Sequence, residues 1–308
     1  MGWQMSAARS ISASLPKTRK RACRRSWKNA NHPGKANNLM LMFRQVLKTL
    51  QSLDVPGDVP VIAHASLSAF GEVHGGAETL LGAMLTAFPR LMMPTFTYKT
   101  MITPEVGPEH NGMRYGTGRD LNFMAQFYSP DMPADPLMGV VAERLRTAPR
   151  ARRSNHPILS FAGVGVEEAL NAQSIEDPLA PIGVLAEQGG YVLLMGVDHT
   201  SNTSIHYGEK LAGRKQFIRW ALTRQGVVEC PGFPGASDGF NQIEPYLEGI
   251  RRRRPLGKAH VQAIPLNELL NTVQQLVQTA PQALLDLQSS DLRVRDTLLA
   301  AGITPPEA

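Results

Sequence analysis

From residue 40 onward, short apolar runs alternate with stretches of helical spacing. Leu41, Val46, Leu47 and Leu50 recur at helical intervals and predict a helix over residues 40–53. Residues 59–64 predict a short buried strand, residues 75–88 a helix, and residues 91–93 a strand stopped by Pro94. Further helices are predicted over residues 137–147 and 166–173, and strands over 158–164 and 191–196. Another helix ends near Ala212, residues 215–222 and 226–230 pair as a hairpin, and residues 266–287 are helical with a break at Pro281. Residues 95–136 carry many Gly, Pro, Asn, Asp and Tyr and few clear elements; so long an irregular stretch is usually functional or disordered. Strands alternating with helices predict an α/β protein in layers around a central sheet.

Composition adds bounds to this picture. The 308 residues, 43% hydrophobic and 19% charged, suffice for a full core. No apolar run approaches the roughly 18–20 residues a membrane helix needs, so a soluble protein with no membrane partner is expected. The net charge of +6 misleads. Residues 1–39 hold nine cations (Arg9, Lys17, Arg19, Lys20, Arg21, Arg24, Arg25, Lys28, Lys35) and no acid, so the remainder carries a net −3. The basicity belongs to that segment and gives no reason to expect the folded body to bind nucleic acid. Three readings of residues 1–39 remain open: translation starting at Met40 or Met42, a disordered tail, or a transit peptide. The expected division is a basic segment 1–39, a catalytic body 40–290 and a C-terminal tail 291–308. Two cysteines, Cys23 and Cys230, allow no disulfide framework or CxxC metal site and fit a reducing, cytoplasmic setting.

The densest chemistry lies at residues 196–209, Gly-Val-Asp-His-Thr-Ser-Asn-Thr-Ser-Ile-His-Tyr-Gly-Glu, directly after an apolar strand. Loops at strand ends are where catalytic groups collect. With Ser201 or Asn202 as N-cap, His206 and Glu209 stand i, i+3 on one helix face, and Thr203 stands i−3 to His206. A carboxylate beside an imidazole orients it as a base, although a capped helix with a solvated His/Glu pair has the same spacing. HExxH is absent and no third ligand stands at a convincing spacing, so no metal is expected. A second cluster, His64-Ala65-Ser66-Leu67-Ser68-Ala69-Phe70-Gly71 followed by Val73 and Gly75-Gly76-Ala77, sets hydroxyls and glycines between a strand and a helix. Backbone amides there can meet a phosphate or amide, but turn chemistry explains the same residues. A third, Arg153-Ser154-Asn155-His156-Pro157, is a turn into the next strand. The basic run Arg251 to Arg254 reads as a solvated face, with a phosphate-binding or nucleic-acid patch as the functional options.

Together with Met93-Pro94-Thr95-Phe96-Thr97, these segments stand in the order and approximate spacing of the aminoglycoside 3-N-acetyltransferases, the antibiotic N-acetyltransferase family, which the body resembles from about Met40 to Thr279. The resemblance implies an α/β/α sandwich with a mixed central sheet, distinct from the GNAT fold. It implies direct acetyl transfer from acetyl-CoA, a co-substrate, to a small-molecule amine, by a monomer or homodimer. His206 matches the family's catalytic histidine and Glu209 the adjacent carboxylate; Asp238 falls near an acceptor-site carboxylate, and Thr203 is the candidate for polarising the thioester carbonyl. Ser66, Leu67, Ser68 and Val73 match the loop that holds pantetheine and pyrophosphate, with His64, Ser154 and His156 added to the cofactor-binding set. Two departures stand out. Thr97-Tyr98-Lys99-Thr100 carries a lysine where the family often has an acid, leaving Glu105, Glu109, Asp120, Asp131 and Asp135 as alternatives, and Tyr207-Gly208 replaces Leu-Ala before the glutamate. Two rivals are a CoA-binding relative without aminoglycoside activity and an acyl hydrolase or transferase with Cys230 as nucleophile.

Overall fold

The computed structural model describes residues 40–306, so the readings of residues 1–39 lie outside the described residues. The central feature is a seven-stranded mixed sheet in the order β4-β5-β2-β1-β6-β10-β9. Its middle is parallel: β1 (Val61–Ala65) lies between β2 (Leu91–Pro94) and β6 (Tyr191–Met195). Antiparallel strands extend it on both sides, with β5 (Phe161–Val164) and β4 (Arg152–Arg153) beyond β2, and β10 (Ala259–Pro265) and β9 (Arg252–Leu256) beyond β6.

Period-2 alternation sends side chains to two cores. Val61 and Ala63 of β1 and Leu193 and Met195 of β6 join Val46, Leu50, Leu80, Met84, Val141 and Leu145 from α1 (Phe43–Gln51), α2 (Gly76–Ala87) and α4 (Gly139–Arg146). Ile62, Val192 and Leu194 face the other way, onto Leu170 of α5 (Glu167–Asn171), Ile182 and Leu185 of α6 (Ala180–Glu187), Ile205 of α7 (Thr203–Leu211) and Leu269 and Val273 of α8 (Leu266–Thr279). Two helical layers around one sheet make the layered α/β protein that the alternating pattern predicts and the α/β/α sandwich that the family resemblance implies.

Four differences from expectation have physical reasons. The irregular stretch contributes β3 (Met101–Ile102), which pairs with β7 (Phe217–Thr223); β7 pairs in turn with β8 (Gly226–Phe233), making a three-stranded second sheet rather than a bare hairpin. A four-residue helix, α3 (Arg119–Asn122), lies in the same stretch. The basic run is strand β9, whose charges suit a sheet edge: Arg252 reaches back to the carbonyls of Leu53 and Asp54 and lies 5.5 Å over the Tyr191 ring. Finally, a helix lies within residues 291–306. Asp291 caps α9 (Leu292–Ala300), accepting from the Arg293 amide at 2.8 Å, and Val294 and Leu298 bury against Ala236 and Leu285.

Candidate active site

Strands β1 and β6 run parallel in register, Ala65 opposite Met195, and their C-terminal ends feed two short 3-10 turns, Leu67–Phe70 and His199–Ser201. The carboxyl edge of a parallel sheet is where α/β proteins collect ligands. The two loops touch at Gly196, with φ of +68°, where an added Cβ would lie 2.7 Å from the Ala69 Cβ and 3.2 Å from the Ser66 carbonyl oxygen. Only glycine permits both that φ and that approach.

The second loop is built to launch α7. The Asp198 side chain accepts from the Thr200 amide at 3.0 Å, and that of Asn202 from the Ser204 amide at 3.2 Å as the N-cap of α7. Asn241 fastens this loop from outside: its Oδ1 accepts from the His199 amide at 3.0 Å, and its Nδ2 donates to Asp198 at 3.1 Å.

On α7 the i, i+3 spacing closes as a hydrogen bond of 2.9 Å between His206 Nδ1 and Glu209 Oε2. Glu209 is 1% exposed, and its other oxygen, Oε1, pairs with Arg214. The Phe240 ring stands edge-on to the imidazole at 4.6 Å and 61°. With Nδ1 committed to the carboxylate, Nε2 is the nitrogen free to accept a proton. Thr203 is the first residue of α7, one turn before His206, and 8% exposed. Asp238 lies exposed two residues before Phe240, and no hydrogen bond joins it to His206 among the described residues. Glu209, then, is the carboxylate that meets the imidazole.

The remaining expected residues separate into two groups. Ser66, Leu67, Ser68 and Val73 lie together at the carboxyl edge, half-exposed or exposed, with the two serine hydroxyls 3.3 Å apart. Gly71, at φ +84°, lies under the stem of Lys258 at the same turn, next to the N-terminus of α2. Hydroxyls, a helix N-terminus and a cation fit the amides and phosphates of a coenzyme A arm. Ser154 and His156, by contrast, are buried, with Ser154 Oγ and His156 Nδ1 engaged locally and His156 Nε2 left without a hydrogen-bond partner among the described residues. Ser154 Oγ accepts from the Phe161 amide at 2.9 Å, and His156 Nδ1 accepts from the amides of Ile158 and Leu159 at 3.1 and 2.9 Å. They shape the turn that receives Thr97 and Thr100, whose hydroxyls donate to the Pro157 carbonyl at 2.8 and 2.7 Å. His64 is also buried, on β1, and desolvation pushes its imidazole down to about 3, so it is neutral and inside the fold rather than on the loop. The candidate acids of the irregular stretch are partly spent: Asp131 pairs with Ser129, and Asp135 accepts from the Leu137 amide at 3.0 Å.

Arg214 and Phe240 are the site residues that pattern reading misses. Arg214 lies five positions from Glu209, off the helix face. It returns because α7 ends in a reversal, the Arg214 amide donating to the Glu209 carbonyl at 2.9 Å. Cys230 is no nucleophile here. It is 1% exposed on β8, and burial, aided by Glu229, pushes its thiol up to about 12.

Comparison with known proteins places the chain in a family. Residues 62–278 match the aminoglycoside 3-N-acetyltransferase family. An SPbeta prophage-derived aminoglycoside N(3′)-acetyltransferase-like protein, YokD of Bacillus subtilis, is 30% identical over 175 residues, covering 54% of this chain and 64% of that protein. Aminoglycoside N(3)-acetyltransferase III of Salmonella is 27% identical over 242 residues, covering 68% and 82%. The fold is shared with the apoenzyme of aminoglycoside acetyltransferase AAC(3)-IVa, at a TM-score of 0.68, 20% identity and coverage of 83% and 97%. It is shared too with AAC-IIIb in its binary complex with CoASH, at 0.63, 19%, 78% and 97%. The match runs from β1 through α8 and takes in both strand-end loops and the His206–Glu209 helix, and the chain belongs to the aminoglycoside 3-N-acetyltransferase family.

Proposed function

We propose that this protein transfers the acetyl group of acetyl-CoA to an amino group of an aminoglycoside or a related small amine, with His206 as the proton acceptor. The observation that carries the proposal is the 2.9 Å bond from His206 to the buried Glu209 at the carboxyl edge of the parallel strands. Family membership supports the reaction class, and the CoASH complex of AAC-IIIb supports the donor.

Acetyl-CoA supplies the thioester. Ser66, Ser68, the backbone near Val73 and Lys258 would hold its amide and phosphate groups. As the amine nitrogen bonds to the thioester carbonyl carbon and the C–S bond breaks, Nε2 of His206 takes the amine proton and passes it to the departing sulfur. Glu209 holds the tautomer with the proton on Nδ1 and stabilises the imidazolium formed in transit. Thr203, one turn earlier, would donate its hydroxyl toward the developing oxyanion. No covalent acyl-enzyme is required, which agrees with the inert Cys230 thiol.

Thiol release from acetyl-CoA, followed across aminoglycosides, polyamines and simple amines with His206→Ala as comparator, tests the proposal. Amine-dependent release with a matching acetylated product is expected. Tight acetyl-CoA binding without release on any amine would favour a CoA-binding relative that has lost its activity.

A further inference from the structure

We propose that Arg214 is a positioning residue of this site, locking Glu209 in the rotamer that grips His206 and compensating its buried charge. The inference rests on the reading of His206 as proton acceptor. Both oxygens of Glu209 are taken, Oε2 by His206 Nδ1 at 2.9 Å and Oε1 by the Arg214 guanidinium. The side chains of Glu209 and Arg214 are 1% and 3% exposed, so solvent does little to screen or replace the pair. The other arm of the guanidinium donates to the carbonyls of Pro281 and Ala283 at 2.7 and 2.8 Å. A planar fork with several donors can hold a carboxylate and two carbonyls at once, which a lysine cannot.

The anchor is shared with the other support of the imidazole. Leu284 and Leu285 are buried just beyond those carbonyls, and a Cβ on Gly239 would meet the Leu284 oxygen and the Leu285 carbonyl carbon at 2.5 Å. Gly239 precedes Phe240, the ring against His206. Segment 281–285 thus braces His206 from both sides, through Arg214 and Glu209 and through Phe240. Two other charged pairs on the packed elements are engaged away from Glu209. Lys210 pairs with Asp177 at 2.5 Å, Glu244 pairs with Arg251 and faces His199 at 3.8 Å, and α8 meets α7 through apolar contact at Val273. Asp238 stands exposed on the loop before Phe240.

A lone buried carboxylate is costly, and removing its cation leaves it uncompensated. The test compares Arg214→Met and Arg214→Lys in the full chain by two readouts. One is the downfield NMR signal of the His206 Nδ1 proton, identified by its loss in His206→Ala. The other is kcat and the KM for acetyl-CoA across pH. In Arg214→Met the signal should move or vanish and kcat fall roughly tenfold or more, the acid limb of the profile moving to higher pH, with KM changed less than about twofold. Arg214→Lys should displace the signal less than Arg214→Met does and recover part of kcat. An unchanged signal and unchanged kcat in Arg214→Met overturn the proposal. Should that variant fail to fold, Glu209→Gln/Arg214→Met removes both charges together. Turnover equal to Glu209→Gln alone, with a displaced signal in Arg214→Lys, supports coupling through Glu209. Turnover well below Glu209→Gln, with Arg214→Lys indistinguishable from the unsubstituted protein, rejects it. The NMR readout needs no turnover, so a failed acetyl-transfer reading would remain distinguishable from a failed Arg214 role.

Discussion

Burial decides which side chains of this protein are reactive. Cys230 and His206 both carry groups suited to acyl chemistry. The thiol is sealed in β8 and pushed up to about 12, while the imidazole sits at 9% exposure with one nitrogen bonded and one free. Cys230→Ala is accordingly expected to retain acetyl transfer within about twofold, its loss removing no thiolate present at neutral pH. A labelled acetyl group trapped on Cys230 would contradict that. The His206–Glu209 pair was legible in the sequence because it is local, one helical turn setting both side chains on one face. Arg214 was not, because a helix-end reversal returns it, and Phe240 was not, because only tertiary packing joins it to His206. Ser154 Oγ and His156 Nδ1 illustrate a limit of reading residue types. Both satisfy backbone amides within a few residues, a use that residue type does not distinguish from binding.

At the scale of elements, α7 is held against α8 by the absence of a side chain. A Cβ at Gly208 would lie 2.8 Å from both Cβ and Cγ1 of Val273. These atoms are close to the backbone and cannot swing aside. Gly208→Ala should therefore destabilise the protein by about 1–3 kcal/mol despite the roughly 1 kcal/mol that alanine gains in an open helix. A raised Tm in that variant would show that the two helices have room to spare. Elements with strong apolar periods, such as β1, α2, β6 and α8, are plain in the sequence. The hairpin of β9 and β10 is hidden by its arginines, which alternate outward on an edge strand and read as a charge run. Helix α9 has only a sparse apolar face, though Asp291 ahead of Leu292 is a capping signal.

Across the whole molecule, three neutral histidines couple the fold to pH. Burial pushes His64 down to about 3 and His156 and His199 to about 4, each below the ordinary 6.5. Above pH 6.5 all three are neutral whether folded or unfolded, and their full contribution is present. As pH falls below that value the unfolded chain binds protons that the folded chain refuses, so stability drops until the folded values near 4 and 3 are reached. Denaturant midpoints should decline through that window, and His64→Asn should flatten the decline; midpoints level between neutrality and pH 4 would contradict it. Layering around a sheet follows from the alternation of short strands and amphipathic helices. The central claim, that His206 carries the proton in acetyl transfer, is tested most directly by the turnover of His206→Ala on the best amine acceptor, with acetyl-CoA binding measured in parallel. The account predicts a fall of roughly 10²–10⁴ with acetyl-CoA affinity preserved; near-normal turnover in that variant would contradict it.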